Sequence, residues 1–238
     1  MTASRGKRSF LLVLCAFAAL LFGSLGIWQV ERRAWKLDLI ERVNARVNAP
    51  PQPLPPRSRW GSLDPREVEY RRVRATGVFL HDRETLVDAL TELGPGSWVL
   101  TPLRTNQGIV LINRGFVPPD RRAPATRAAG QTSGEITVTG LLRLPEPEGR
   151  FLRPNQPAAD RWFSRDVAAI ARARGLGQVA PFFIDAGATP DPGGVPVGGL
   201  TVIQFRNTHL IYALTWFGLA GLALAGLVLL LKPAHKPE

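Results

Sequence analysis

Cysteine is almost missing from this chain. Its 238 residues hold one, Cys15, with one methionine and three histidines. One cysteine cannot close a disulfide within the chain, and no CxxC or other thiolate cluster is present to bind a metal. So few sulfur and imidazole ligands argue against a copper or zinc carrier. Local catalytic signatures are missing as well: no GxSxG, no HExxH, no P-loop and no locally paired carboxylates. Nothing positive points to an enzyme, and none is expected. Charge is absent from two long stretches, Phe10–Trp28 (nineteen residues) and Leu210–Leu231 (twenty-two residues).

Each uncharged stretch is long enough to cross a bilayer, since about 20 apolar residues span about 30 Å of hydrocarbon. The first follows Arg5, Lys7 and Arg8, as a signal peptide would. It is longer than the usual apolar region of such peptides, however, and no A-x-A-like site follows. A retained anchor is the favoured reading. Between the stretches, Gln29–His209 is polar and rich in Pro, Arg and Gly, and reads as one soluble domain. The net charge of +11 is scattered rather than gathered in one stripe. It is read as attraction to a membrane surface, not as a nucleic-acid footprint.

Lys and Arg near the span ends set orientation. Lys232 and Lys236 follow the second stretch, which favours a cytoplasmic C-terminus. At the first stretch, Arg5, Lys7 and Arg8 compete with Arg32, Arg33, Lys36, Arg42 and Arg46. A long intervening domain translocates largely regardless of charge. Both termini are therefore expected inside and the domain outside.

The first helix is expected to continue into water. Trp28, Trp35, Leu39, Val43 and Val47 recur at steps of seven and four on one face, and Asp38 and Arg42 are spaced to pair. That face reads as a stalk packed on its own domain, or else as a docking surface for a partner helix. "NAPPQPLPPRSR", with five prolines in twelve residues, reads as an extended spacer. Strands are expected at "YRRVRATGVFL", "SWVLTPL", "GIVLINRGFV", "EITVTGLLRL", "PFFID" and "GLTVIQF", the second and third forming a hairpin. A helix is expected in "SRDVAAIARARGLG", with Ser164 as N-cap and Gly175 as stop. Asp166 is a candidate helix-N-terminal acid. Arg114 reads as a strand-end arginine that caps carbonyls or pairs with an acid, or as a contact to a partner or anionic group.

The expected fold is thus two transmembrane α-helices flanking a mostly antiparallel β (α+β) extracytoplasmic domain, a small barrel or a sandwich. The expected boundaries are residues 1–9 cytoplasmic, 10–28 first span, 29–47 amphipathic helix, 48–59 linker, 60–208 β-rich domain, 209–231 second span and 232–238 cytoplasmic.

The candidate site lies where the two spans meet one surface. Trp28 and Gln29 leave the first span there, and His209 enters the second. At 100° per residue, Tyr212 lies about 60° and Trp216 about 20° from His209. Gly23 and Gly26 would let the helices approach. Tyr and Trp also populate membrane interfaces simply as belt residues. The sharper reading is a histidine ligand with aromatic walls, suited to a planar cofactor such as haem. Arg32, Arg33 and Arg206 would pair with the propionates; lipid phosphate is their other reading.

Four motifs, in order over nearly the whole chain, bear a family resemblance: "LGIWQVERRAWKLDLI", "GSWVLTPLRTNQGIVLINRGFVP", "VTGLLRLPEP…PNQPAADRWFSRDVAAIA" and "NTHLIYALTWF". Together they resemble the surfeit locus protein 1 family of cytochrome c oxidase assembly factors. One departure is Phe116, where the family more often has Trp. The resemblance implies two membrane helices around a domain in the bacterial periplasm or mitochondrial intermembrane space. It implies a role in biogenesis of oxidase subunit I, and haem a handling with His209 as axial ligand to the iron. Tyr212, Trp216, Trp28 and Gln29 would then line the cofactor. The implied setting is a bacterial inner membrane, with subunit I, haem a synthase and membrane lipid as partners. The alternative is a haem-free scaffold that stabilises a subunit I intermediate.

Overall fold

The computed structural model describes residues 2–149, 153–201, 203, 205 and 207–232. The chain divides at 42/43 and 203/204 into a helical unit and a β-rich unit.

The helical unit is built on α1 (Thr2–Asn48) and α4 (His209–Leu231). Both are long and apolar enough to cross a membrane. α1 runs 47 residues without a break. At 1.5 Å per residue that is about 70 Å, over twice the ~30 Å hydrocarbon layer. The helix therefore continues beyond the span, as its periodicity predicts, and stops at the Pro-rich segment.

In the β-rich unit a β-barrel is closed by five strands: β2 (Arg72–Phe79), β6 (Glu135–Arg143), β7 (Val179–Ala186), β5 (Gly108–Val117) and β4 (Gly94–Thr105). They pair in that order, and β2 pairs with β4 to close the ring. All these pairs are antiparallel except β5 with β7. Closure removes the two open edges that a sandwich of short strands would leave. β3 (Thr85–Thr91) extends β4, and β1 (Gln52–Pro53) pairs in parallel with β2.

Period-two alternation divides the central strands between two cores. Val110, Ile112, Phe182 and Ile184 point into the barrel with Val73, Leu103 and Leu142. Leu111 and Phe183 point outward, under Trp162, Val167 and Ile170. The last two belong to α3 (Val167–Ala173). Because both faces are covered, "IVLINRGFV" reads as a continuous run rather than an alternating one.

Several expectations change. The 48–59 segment is not a free spacer: it contributes β1, and Leu54 packs on the barrel core. Asp166, not Ser164, caps α3, accepting from the Ala169 amide at 2.9 Å. Ser164 instead donates to the Glu146 carbonyl at 2.8 Å, so its hydroxyl ties two loops together. Gly175 does follow the helix end, with φ of +58°. "GLTVIQF" forms no strand at its described residues 199–201, 203 and 205; Val202 and Gln204 lie outside them. β3 went unpredicted because "TLVDALT" does not alternate in hydrophobicity: Thr85 on its buried face is polar and Leu90 on its exposed face is apolar.

Candidate functional site

Within the helical unit α1 and α4 run antiparallel. Among the less exposed residues, one series on α1 is Leu12, Cys15, Ala19, Phe22, Gly26 and Gln29, and one on α4 is His209, Ala213, Trp216, Ala220 and Ala223. Both series advance by alternating steps of three and four, the 3.5-residue repeat of a helix–helix seam. The register is fixed at both ends. Gln29 meets His209, and the Arg8 Nε donates to the Leu230 carbonyl at 2.9 Å. The start of α1 and the end of α4 therefore share one end of the pair.

His209 opens α4. Its Nδ1 lies 2.8 Å from the Gln29 Oε1, and Gln29 is buried. An amide oxygen only accepts, so Nδ1–H donates to it. The imidazole is thereby held as the tautomer whose Nε2 carries the lone pair. This is the arrangement in which a second group orients a metal-binding histidine. Two turns further along the seam, Phe22 and Trp216 stack with ring centroids 5.6 Å apart and planes 22° from parallel. Between these layers the Phe217 ring lies against Gly26, where a Cβ would sit 2.5 Å from the ring. Gly26 thus permits the close approach expected of it. Gly23 does not take part: nothing lies within 4 Å of a Cβ placed there.

The predicted site residues are only partly assembled. His209 and Gln29 bond directly. Trp216 is in the seam, but its ring faces Phe22 rather than an open space. Tyr212 is half exposed on the flank of α4. Trp28 and Trp35 are half exposed, so they are not on the seam; Val43, also assigned to their face, is buried. Arg32 lies over Trp35 at 4.7 Å, Arg33 is half-buried, and Arg206 lies outside the described residues. Sequence reasoning missed Phe22, Phe217 and Lys36. Phe22 sits seven residues before Gln29, within about 20° of it on the helix, so its spacing carried the signal. Lys36 sits seven residues after Gln29 and lies 5.1 Å from the Phe205 ring.

A second polar cluster sits at the barrel wall. Buried Asp185 accepts from Asn113 (2.8 Å), Arg143 (2.9 Å), Arg165 (3.1 Å) and Thr201 (3.1 Å). Arg165 also pairs with Glu146. Burial alone would raise the Glu146 carboxyl, but the hydrogen bonds and charge of Arg165, with that of Arg143, outweigh it and hold the group below its ordinary value. Every charge here is paired with its neighbours, so the cluster fastens strands together and offers no free acid or base. No group of three His, Cys, Asp or Glu suited to a metal ion occurs among the described residues.

Two membrane-length helices flanking a closed β-barrel, with an amide-braced histidine where the second helix starts, define a two-span membrane protein with a candidate ligand site at its helix seam. The SURF1 family model matches residues 16–221. The chain is 40% identical to human Surfeit locus protein 1 over 229 residues, covering 87% of this chain and 73% of the human protein. It is 40% identical to the mouse protein, covering 88% and 71%. A SURF1-like protein of Caenorhabditis elegans is 37% identical, covering 90% and 69%. The chain belongs to the SURF1 family.

Proposed function

We propose that this chain is a cytochrome c oxidase assembly factor that holds haem a through His209 and releases it toward oxidase subunit I. The observation that carries the reading is the Gln29–His209 bond. It fixes one ring nitrogen and leaves Nε2, the atom that binds iron, without a partner among the described residues. The residues present fit such a group. Tyr212 supplies an aromatic flank one turn into α4, and Arg32, Arg33 and Lys36 supply cations one to two turns beyond Gln29. A rise of 1.5 Å per residue puts those cations about 5–10 Å along the helix from the imidazole, within reach of propionate-length substituents.

When bound, haem a supplies the redox-active iron that the oxidase requires. The chain's own part is to orient the imidazole, exclude water with the Phe22–Trp216 layer and neutralise acidic substituents. A single histidine ligand suits a carrier, because one bond can be exchanged for a recipient's ligand. No bond-making step is assigned to the protein, which acts as a carrier and not as an enzyme. In this reading it resides in a bacterial inner membrane, with both termini cytoplasmic and the barrel periplasmic, and works beside subunit I and haem a synthase. The test is the haem a content of oxidase isolated from cells expressing His209→Ala. Depleted haem with normal association of the variant and subunit I is expected. Full haem content would favour a haem-free scaffold.

A further inference from the structure

The β6–β7 ladder runs from Arg143 opposite Phe183 to Gly140 opposite Ala186. One more bond follows, from the Gly187 amide to the Thr139 carbonyl at 2.9 Å. Continuing that register would place Thr137 opposite Thr189 and Glu135 opposite Asp191. Neither rung is formed among the described residues. Pro190 and Pro192 adjoin the two missing positions, and their ring-fixed φ of about −65° turns the chain off the extended course of the strand. The gap is a cleft of about 160 Å³, and Thr137 and Thr189 both line it.

The main-chain groups of β6 alternate in direction. Leu142 bonds to β2, donating to the Arg71 carbonyl at 2.9 Å. Gly140, Val138 and Ile136 therefore also face β2, while Thr139, Thr137 and Glu135 face the cleft. Each of the last two brings an N–H and a C=O to an open edge. Phe79, Ile112, Ile136 and Val138 give the cleft an apolar lining. Arg114 and Asp191 also line it. Arg114 is 94% buried, lies over the Phe79 ring at 5.1 Å and donates to Asp191 at 2.5 Å. Its Nη1 and the Asp191 Oδ1 nevertheless have no partner. A donor and an acceptor are thus left unmatched in the lining, where buried polar groups are ordinarily paired.

We propose that this cleft is a docking slot for a short extended segment of another polypeptide, which adds as a strand to the β6 edge. A peptide backbone supplies what the site lacks, an alternation of N–H and C=O along the edge, and its next amide matches the Arg114–Asp191 donor and acceptor. β-Branched or other apolar side chains on alternate residues suit the lining. The slot lies in the β-rich unit and does not depend on haem binding.

The test uses full-length protein in detergent micelles and the probe peptide acetyl-Val-Thr-Val-Thr-Val-amide. Amide hydrogen exchange is read across residues 135–139. The peptide is expected to slow exchange there at least tenfold, and a version N-methylated at alternate residues is expected to have no effect. Thr137→Pro removes one edge donor and spares the β2 ladder, so it should abolish the protection. Thr189→Trp, which fills the cleft from the exposed loop, should do the same if the proline variant does not fold. No protection of the wild type at millimolar peptide overturns the proposal. Equal protection by the N-methylated peptide also overturns it, since recognition would then not be strand addition.

Discussion

The Gln29 Oε1 and the His209 Nδ1, 180 residues apart in sequence, are 2.8 Å apart at the helix seam. This contact joins the two spans at the point where a ligand would bind. It also makes Gln29 a positioning residue, acting on any bound group through the imidazole. Gln29→Leu should weaken haem affinity by roughly 10–100-fold, the usual effect of removing such a brace. Gln29→Glu keeps an acceptor and should stay within a few-fold of wild type. Haem titration of the purified variants checks both.

Gly26 is predicted to be intolerant of a side chain because Phe217 occupies the space. Gly26→Val should destabilise the helix pair by roughly 1–3 kcal/mol, the range for overpacking. Adding Phe217→Ala should recover most of the loss. Denaturation in mixed detergent micelles, followed by tryptophan fluorescence, measures the pair.

Stability of the barrel should fall in acid through Glu146. Arg165 and Arg143 hold its folded-state carboxyl below the ordinary value of 4.5. The folded state therefore binds its proton less readily than the unfolded state. The contribution is complete above the ordinary value and is lost as pH falls through the lower folded one. Glu146→Gln should reduce the slope of stability against pH below about 4.5, with little effect on that slope at neutral pH. Thermal unfolding across pH 3–7 tests the sign.

The strands that alternate or run continuously apolar, β2, β4, β5, β6 and β7, were legible because burial of one or both faces dictates their pattern. So was α1 beyond the membrane, from its uninterrupted helical spacing. β1 and β3 were not, because their pairing is set by neighbours and not by their own composition. "GLTVIQF" has strand chemistry but finds no ladder at its described residues. At the site, His209 and Gln29 were legible from the positions of the span ends. Trp28 and Trp35 are half exposed and lie off the 22, 26, 29 series, which small and polar residues conceal from a reading by hydrophobicity. Hydrophobicity marks where lipid begins; the seam between two apolar helices is marked by size instead. That is why Gly26 and Ala213 are buried in the seam while Trp28 and Trp35 are half exposed.

Whether His209 holds haem a, as proposed, is read from the absorption spectrum of the protein purified in mild detergent from cells that make haem a, taken beside His209→Ala. A haem a spectrum is expected in the wild type and is expected to be lost in the variant while the variant's fold is retained. A wild-type protein without haem, or a variant with undiminished haem, would contradict the proposal.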